Sequence, residues 1–586
     1  MQKMWNNRLN TISFYTSFIA FGLMIVEAGF YTELLYRSQV IFFYDVSFLL
    51  TIFNILYYNM YKKNAATRKL WPLEILIILL VILYYATRLE YNFFDSRNLR
   101  LVNQRLLYLL ITLCFIRDFS SLQINFKRAF INPAQLFISS FIGIIFLGTA
   151  MLLMPNATTK GITVLDALFT STSAVCVTGL VTLDTAKDFT VFGKIIILAL
   201  IQTGGLGIMT FASYFSYFFR GDSSFENQIS ISEMTSSDKL GDVFNTLKRV
   251  LVITVTVELV GAALIYLSLD LSLLGNSINN GIMFSVFHSI SAFCNAGFST
   301  LTGGLSEPGY ELNYALHVVI AFLFIFGGLG FPIVYNVYKY IRHLFQNILL
   351  SKITKEKYRY TPWVININSR IILITTAILL VVGTVLIYLF EKDGSLKNHT
   401  YFGTVVEAFF ISASNRTAGF NTVNMVSLSG PTIMICLLLM WIGASPASTG
   451  GGIKTTTFAI AILNIIAFAR GKNRTEVYRR EISDNSVKRA FAIIALSLMI
   501  IGIAIFLLVL TEKDKDLMSL AFEVFSAYST VGLSLNLTPT LTPAGKIIII
   551  AVMFIGRVSM LSLLIALVKR ERYFNYRYPK EEIMIN

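Results

Sequence analysis

A chain of 586 residues that is 55% hydrophobic and only 14% charged cannot fold as the several soluble domains its length would otherwise suggest. Its 48 Phe alone leave more apolar surface than a soluble core can hide, so lipid is the solvent. A formal charge of +15 would hint at nucleic acid in a soluble protein, but in a membrane protein the same excess marks cytoplasmic loops.

Crossing the hydrocarbon of a bilayer takes about 20 apolar residues in a helix. Stretches of that kind lie at 11–30, 39–60, 70–88 and 101–116, the last being the weakest. Thr11 to Phe30 has no small-residue cleavage site before Glu27, so it reads as a retained helix, not a signal peptide. Arg97, Arg100 and Arg105 lack the regular three-residue spacing along an apolar helix of a voltage sensor and read as juxtamembrane anchors. Residues 1–120 therefore form an N-terminal extension of about four helices, with no role evident beyond packing or anchoring.

From residue 133 the pattern alternates. Full spans near 133–155, 193–217, 246–268, 314–336, 368–390, 431–468, 488–510 and 545–568 enclose short apolar segments. These are Asp166–Val175, Phe284–Phe293, Val406–Ser414 and Ser519–Ala527, each too short to cross and each expected to enter the bilayer and return as loop. The stretch 431–468 is too long for one crossing and is broken by Gly-Ala-Ser-Pro-Ala-Ser-Thr-Gly-Gly-Gly-Ile at 443–453.

The short segments repeat in detail. Each ends on a glycine, Gly179, Gly297, Gly419 or Gly532, at spacings of 118, 122 and 113 residues. Ten residues earlier stands Phe169, Phe287, Phe409 or Phe522. Small residues follow, Ser173, Ser291, Ala413 and Ser526, then Ala174, Ala292, Ser414 and Ala527. One such glycine would be an ordinary helix end. Four in register imply a fourfold internal repeat, at 131–220, 244–343, 367–470 and 486–570, with a cytosolic tail at 571–586. The fold class is all-α integral membrane: four helix–pore loop–helix repeats around a pseudo-fourfold pore.

Irregular backbone at membrane depth survives only when buried in protein or lining water. Four loops meeting on one axis would offer rings of carbonyl oxygens in place of a cation's hydration shell. Glycine turns carbonyls toward the axis by adopting φ > 0. The half-helices would aim the negative ends of their dipoles at the same cavity.

The strings Ser-Ala-Val-Cys-Val-Thr-Gly-Leu (173–180), Ser-Ala-Phe-Cys-Asn-Ala-Gly-Phe (291–298), Asn-Arg-Thr-Ala-Gly-Phe-Asn-Thr (415–422) and Ser-Thr-Val-Gly-Leu (529–533) resemble the four selectivity-filter segments of the Trk/Ktr/HKT superfamily of potassium transporters. Gly-Ala-Ser-Pro-Ala-Ser-Thr-Gly-Gly-Gly-Ile-Lys (443–454) resembles that family's intramembrane loop, and the resemblance covers about 130–568. It implies a potassium filter of Val177, Thr178 and Gly179; Asn295, Ala296 and Gly297; Thr417, Ala418 and Gly419; and Thr530, Val531 and Gly532, with potassium held by backbone carbonyls. Gly179, where some sodium-permeable relatives carry Ser, argues for potassium. A gate of Gly443, Ser445, Gly450, Gly451, Gly452, Lys454 and Arg557 is implied below it. The resemblance further implies a homodimer and a separate cytosolic nucleotide-binding regulatory subunit, since this chain contains no such domain. Potassium is the transported ion and no cofactor is expected.

Arg416, Lys454 and Arg557 are the basic residues of this core expected at membrane depth, where charge is costly and rarely idle. Arg557 matches a position where that family carries an arginine facing the gate; with no acid near it in its own helix it reads as an electrostatic barrier bonded to carbonyls of the 443–453 loop, the alternative being a structural ion pair. Lys454 either holds carbonyls of that loop or snorkels to the interface. Arg416 would repel an ion if it faced the filter, so it is expected behind it, paired with Glu407 or Glu523. Asp166, Glu407 and Glu523 are expected near half-helix starts, as caps or as a cation-attracting field. Glu258 is a membrane-depth acid and a candidate partner for Lys454 or Arg557. His288 reads as a packing residue, and Gly-Gly-Leu-Gly at 204–207 and 327–330 as close-packing points of inner helices.

Cys114, Cys176, Cys294 and Cys436 lack the spacing of a disulfide framework or zinc site. No paired carboxylates, nucleophile–base pair or Walker loop suggests an enzyme. A secondary transporter of another cation or an organic solute is the alternative; it predicts inverted repeats, whereas these copies run in one orientation. The core's Lys and Arg concentrate where outer helices begin and inner helices end, including 336–370, 469–490 and 569–580. That asymmetry predicts a multi-pass protein of the cell (inner or plasma) membrane with the filter mouth outside, and its basic loops meet lipid or a regulatory subunit, not nucleic acid.

Overall fold

The computed structural model describes residues 2–30, 37–61, 71–94, 97–121, 133–218, 243–331, 333–341, 366–446 and 448–558. The tail at 571–586 and most of the basic loop at 336–370 lie outside them. The chain divides into two compact units, residues 1–129 with 154–157, and 130–153 with 158–586. The described residues are mostly helical. The one sheet among them is a two-stranded hairpin, Glu476–Val477 with Arg480–Glu481, whose turn residues Tyr478 and Arg479 both have positive φ. It is a small addition to an otherwise all-helical expectation.

The first unit holds four helices, Gln2–Gly29, Arg37–Tyr61, Trp71–Phe94 and Arg97–Ser121. Tyr44, Phe48, Ile55, Ile77, Tyr84, Leu110 and Ile111 form its core. Charge is buried inside it. Arg117 bonds Asp118 at 2.8 Å and Glu74 at 3.4 Å, while Ser13 and Thr51 donate to the other oxygen of Asp118. At another level Arg88 meets Asp45 at 2.8 Å, and Tyr85 donates to the same carboxylate. Each charge is paired because an unpaired one in an apolar surround would be driven to neutralise or to break the packing.

In the second unit the order long helix, short helix, last helix occurs four times. The long helices are Pro133–Leu152, Val243–Ser268, Ile367–Glu391 and Asp484–Thr511. The short ones are Val164–Val175, Ile278–Phe293, Tyr401–Ser414 and Leu517–Ser529. The last helices begin at Val191, Tyr314, Gly430 and Pro543, and the third is interrupted: Gly430–Trp441 and Thr455–Ala469 are separate helices. Each last helix packs against the next short helix, and the fourth packs against the first short helix, which closes a circle.

Among the described residues five helices are long and apolar enough to cross a membrane: Leu9–Gly29, Gln39–Tyr57, Arg249–Ser268, Ile367–Glu391 and Asp484–Thr511. These helices bury little of themselves; Leu259 is 65% exposed and Phe506 63%. Such outward apolar faces fit a lipid solvent. The short helices, of 12 to 16 residues, cannot cross, and three of them are almost wholly enclosed by their neighbours towards their C-terminal ends.

Candidate functional site

The short helices start on side-chain caps that composition alone did not reveal. Thr163, Ser277, Thr400 and Asp516 each accept from a backbone N–H of the first turn. The signal was present in the sequence as a Ser, Thr or Asp ahead of each apolar run. Asp166 is not the cap: Thr163 donates to it and Lys546, from the start of the fourth last helix, pairs with it at 2.6 Å. Glu407 and Glu523 stand inside their helices, not at the starts.

At the other end each short helix runs into a loop with one backbone pattern. The residue two before the glycine has positive φ (Val177 56°, Asn295 58°, Thr417 74°, Thr530 51°), and so does the glycine (Gly179 96°, Gly297 67°, Gly419 79°, Gly532 95°). Thr178, Ala296, Ala418 and Val531 between them keep negative φ. Alternating hands bring consecutive carbonyls to one side of the chain, where an extended strand would alternate them. Val177, Thr417 and Thr530 are β-branched, so each left-handed residue costs about 1–3 kcal/mol and persists only because its surroundings impose it.

Serine hydroxyls supply part of that constraint. Ser173 and Ser526 accept from the glycine N–H at 3.1 and 3.0 Å, and Ser291 donates to the carbonyl of Phe298. In the third loop the equivalent residue is Ser414, which donates to Phe420 at 2.5 Å and lies one place closer to its glycine. The shift extends through the helix. Phe410, not Phe409, is the fully buried counterpart of Phe169, Phe287 and Phe522. Ser171, Ser289 and Ser412 then match, donating to Ile145, Glu258 and Leu380 of the long helices beside Gly148, Gly261 and Gly383. In the third repeat the stretch from the bracing serine to the glycine is thus one residue shorter than in the other three.

The four loops interlock. A Cβ on Gly179 would overlap the carbonyl oxygen of Ala296, one on Gly419 that of Val531, and one on Gly532 that of Thr178. On Gly297 it would sit 3.1 Å from the carbonyl of Ala418. Each glycine therefore meets the peptide just before the next loop's glycine, in the order first, second, third, fourth and back to first. All four glycines line a cavity of about 920 Å3, whose wall carries Asp184, Asp188 and Glu311.

The loop between the halves of the third last helix lies on the other side of this ring. A Cβ on Gly450 would overlap Thr417, one on Gly451 would crowd Thr530, and one on Gly443 would overlap the Gly451 carbonyl. Gly451 donates its N–H to Thr530 at 2.9 Å. Ser445 donates to Gly328 at 2.8 Å. Arg557 donates to the carbonyl of Thr449 and, at 2.7 Å, to that of Gly204. Lys454 donates to Gly450 at 2.5 Å, so of its two expected positions it takes the one against the loop. Gly204, Gly327 and Gly556 let the last helices approach the carbonyls of Val175, Phe293 and Tyr528.

The acid partners expected for Arg416 are engaged elsewhere. Glu407 meets His317 at 2.7 Å with both side chains fully buried, and Glu523 accepts from Ser534 and Thr538. Arg416 faces the carbonyl of Gly443 at 3.5 Å. Glu258 accepts from Gln202 at 3.3 Å, and it is not bonded to Lys454 or Arg557, which bond backbone carbonyls. His288 bonds Phe284 and Ser299 within its own loop region. These partners lie 27 to 90 residues apart in sequence or within one short helix and its loop, and nothing in local spacing announces them.

The sequence matches the family described as "TrkH: Cation transport protein" over residues 106–576. The Ktr system potassium uptake protein B of Bacillus subtilis is 36% identical over 454 residues, covering 77% of this chain and 96% of that protein. The potassium/sodium uptake protein NtpJ of Enterococcus hirae is 35% identical over 467 residues, covering 78% and 98%. The crystal structure of the potassium transporter TrkH from Vibrio parahaemolyticus shares the fold, with a TM-score of 0.58 at 16% identity over 84% of this chain and 97% of that one.

Replacing Gly532 by Ala adds a left-handed Ala and a clash with a backbone oxygen, and should destabilise the protein by about 2 kcal/mol or more. Gly143→Ala, in a helix with open space around it, should be neutral or slightly stabilising. Thermal unfolding of the two purified variants in detergent checks the contrast. Equal melting temperatures would contradict the interlocked ring.

Proposed function

The chain belongs to the TrkH family of cation transport proteins, whose relatives compared above include potassium uptake proteins, and we propose that it is a membrane potassium-uptake subunit. Its substrate is the potassium ion. The selecting element is the ring of four non-identical loops, Val177–Gly179, Asn295–Gly297, Thr417–Gly419 and Thr530–Gly532, arranged as four repeats around one axis. The observation that carries this reading is the shared alternation of φ in four loops whose glycines interlock. A cation entering such a ring exchanges its hydration shell for carbonyl oxygens already turned toward it, so little reorganisation opposes selection. The C-terminal ends of the four short helices add their negative partial charge on the same side.

Gly443, Ser445, Gly450, Gly451, Gly452, Lys454 and Arg557 form the gate in this reading. The glycines allow a backbone to lie against the ring where side chains would not fit. Arg557 adds a positive charge beside the path, held by two carbonyls, which raises the barrier for a cation. The positive-inside rule applied to the basic loops supports a cavity with Asp184, Asp188 and Glu311 that faces outside, where its acids concentrate cations, and a 443–453 loop toward the cytosol. In the cell membrane the chain works as a homodimer with a separate cytosolic nucleotide-binding regulatory subunit, the partnership its family resemblance implies.

The test is growth of a potassium-uptake-deficient bacterium at micromolar potassium, expressing this chain with its regulatory partner. Rescue is expected. No rescue, with the protein present in the membrane, overturns the reading. In the same cells Gly179→Ser should admit sodium and lower the preference for potassium; an unchanged preference would remove the filter assignment.

Arg557→Ala should raise potassium flux into proteoliposomes by removing the barrier charge and freeing the loop. An unaltered flux would sink the gate assignment.

A further inference from the structure

Three of the four left-handed residues that precede the glycines carry polar side chains turned to the loop, and the first does not. They are Asn295, Thr417 and Thr530, against Val177. All four are fully buried. Thr530 Oγ1 accepts from the Gly451 N–H at 2.9 Å. The Asn295 amide lies 3.2 Å from Thr417 Oγ1 and 3.3 Å from Thr449 Oγ1; turned so that its oxygen accepts from Thr417, its nitrogen donates to the carbonyls of Phe324 and Ala292. The Thr417 hydroxyl is packed directly on Gly450.

We propose that Asn295, Thr417 and Thr530 are positioning residues that latch the 443–453 loop to the glycine ring, so that loop movement and ring geometry change together. The proposal rests on the filter and gate reading and adds to it the physical link between the two. A loop that withdraws must strip a hydrogen bond from Thr530, part Thr449 from Asn295 and lift Gly450 off the Thr417 hydroxyl that Asn295 holds. It also removes the contacts that hold two β-branched residues in a left-handed conformation they would otherwise leave. The ring then relaxes on three of its four sides, with the first loop, built on Val177, left as the unlatched side. Coupling of this kind is reciprocal: whatever factor the seated loop adds to the ring's ion affinity, a seated ion adds to loop closure.

The experiment is a double-mutant cycle on potassium flux in proteoliposomes of the full chain, using wild type, Thr530→Val, Arg557→Ala and the pair. Val keeps the shape and branching of Thr and removes only the acceptor. Thr530→Val should raise flux about fivefold, the loss of one buried hydrogen bond that favours the closed loop. In the Arg557→Ala background, where the loop is already released, it should add little, because residues of one unit are not additive. Thr530→Ser, which keeps the acceptor, should give lower flux than Thr530→Val.

Multiplicative effects of the two substitutions overturn the latch while leaving the gate reading intact. So does Thr530→Val flux equal to wild type. No rise with Arg557→Ala alone overturns the gate reading itself and the latch with it. Thr417→Val, which removes the hydroxyl that Asn295 holds, is the second variant if Thr530→Val does not reach the membrane. It should show the same dependence on Arg557, and independence from it overturns the latch.

Discussion

The second unit depends on four backbones approaching one another more closely than any side chain permits. Three of the four ring glycines lie where the next loop's carbonyl leaves no room for a Cβ, Gly297 leaves only a tight fit, and all four take the positive φ that favours glycine. Everything around it serves that approach. Glycines on the long helices admit the serines of the short ones, and glycines on the last helices admit the carbonyls at their ends. Lys546 on Asp166 ties the fourth group of helices to the first and completes the circle. Left-handed Val and Thr are tolerated because serine hydroxyls and the neighbouring loop hold them from several directions at once.

The buried cations follow a second rule. Arg557, Lys454 and Arg416 all face backbone carbonyls in preference to carboxylates. A broken helix leaves carbonyls without intrahelical partners, and buried carbonyls must be satisfied. Placing cations there meets that need and keeps positive charge beside the ring, where a carboxylate partner would cancel it. The acids Glu407, Glu523 and Glu258 are instead spent on His317, on Ser534 with Thr538, and on Gln202. Those bonds join neighbouring groups of helices or brace one loop.

Much of this was legible in the sequence because glycine has no substitute at such contacts. The four ring glycines, the Gly-rich break at 443–453 and the four short segments could be placed by counting. The small residues before each glycine are visible in the sequence too, but not that the serine hydroxyls among them brace the loops. A fixed count back from the glycine also puts Phe409 where Phe410 stands, since one residue fewer separates the bracing serine from the glycine in the third repeat. The 443–453 carbonyls were legible as partners of Arg557 and Lys454, but the partners of the buried acids were not. Glu407 finds His317 across 90 residues through tertiary packing, and Arg117 finds Glu74 across 43 in the first unit. Periodicity reports which face is apolar and carries no information about which polar group waits opposite.

The central claim is that the four glycine loops together hold one dehydrated potassium-sized cation. Anomalous scattering from crystals grown with rubidium or thallium in place of potassium tests it most directly. The account predicts a peak on the axis of the ring, enclosed by carbonyl oxygens of residues 177–179, 295–297, 417–419 and 530–532, that disappears when sodium replaces the heavier ion. Peaks confined to other sites, with an empty axis, would contradict it.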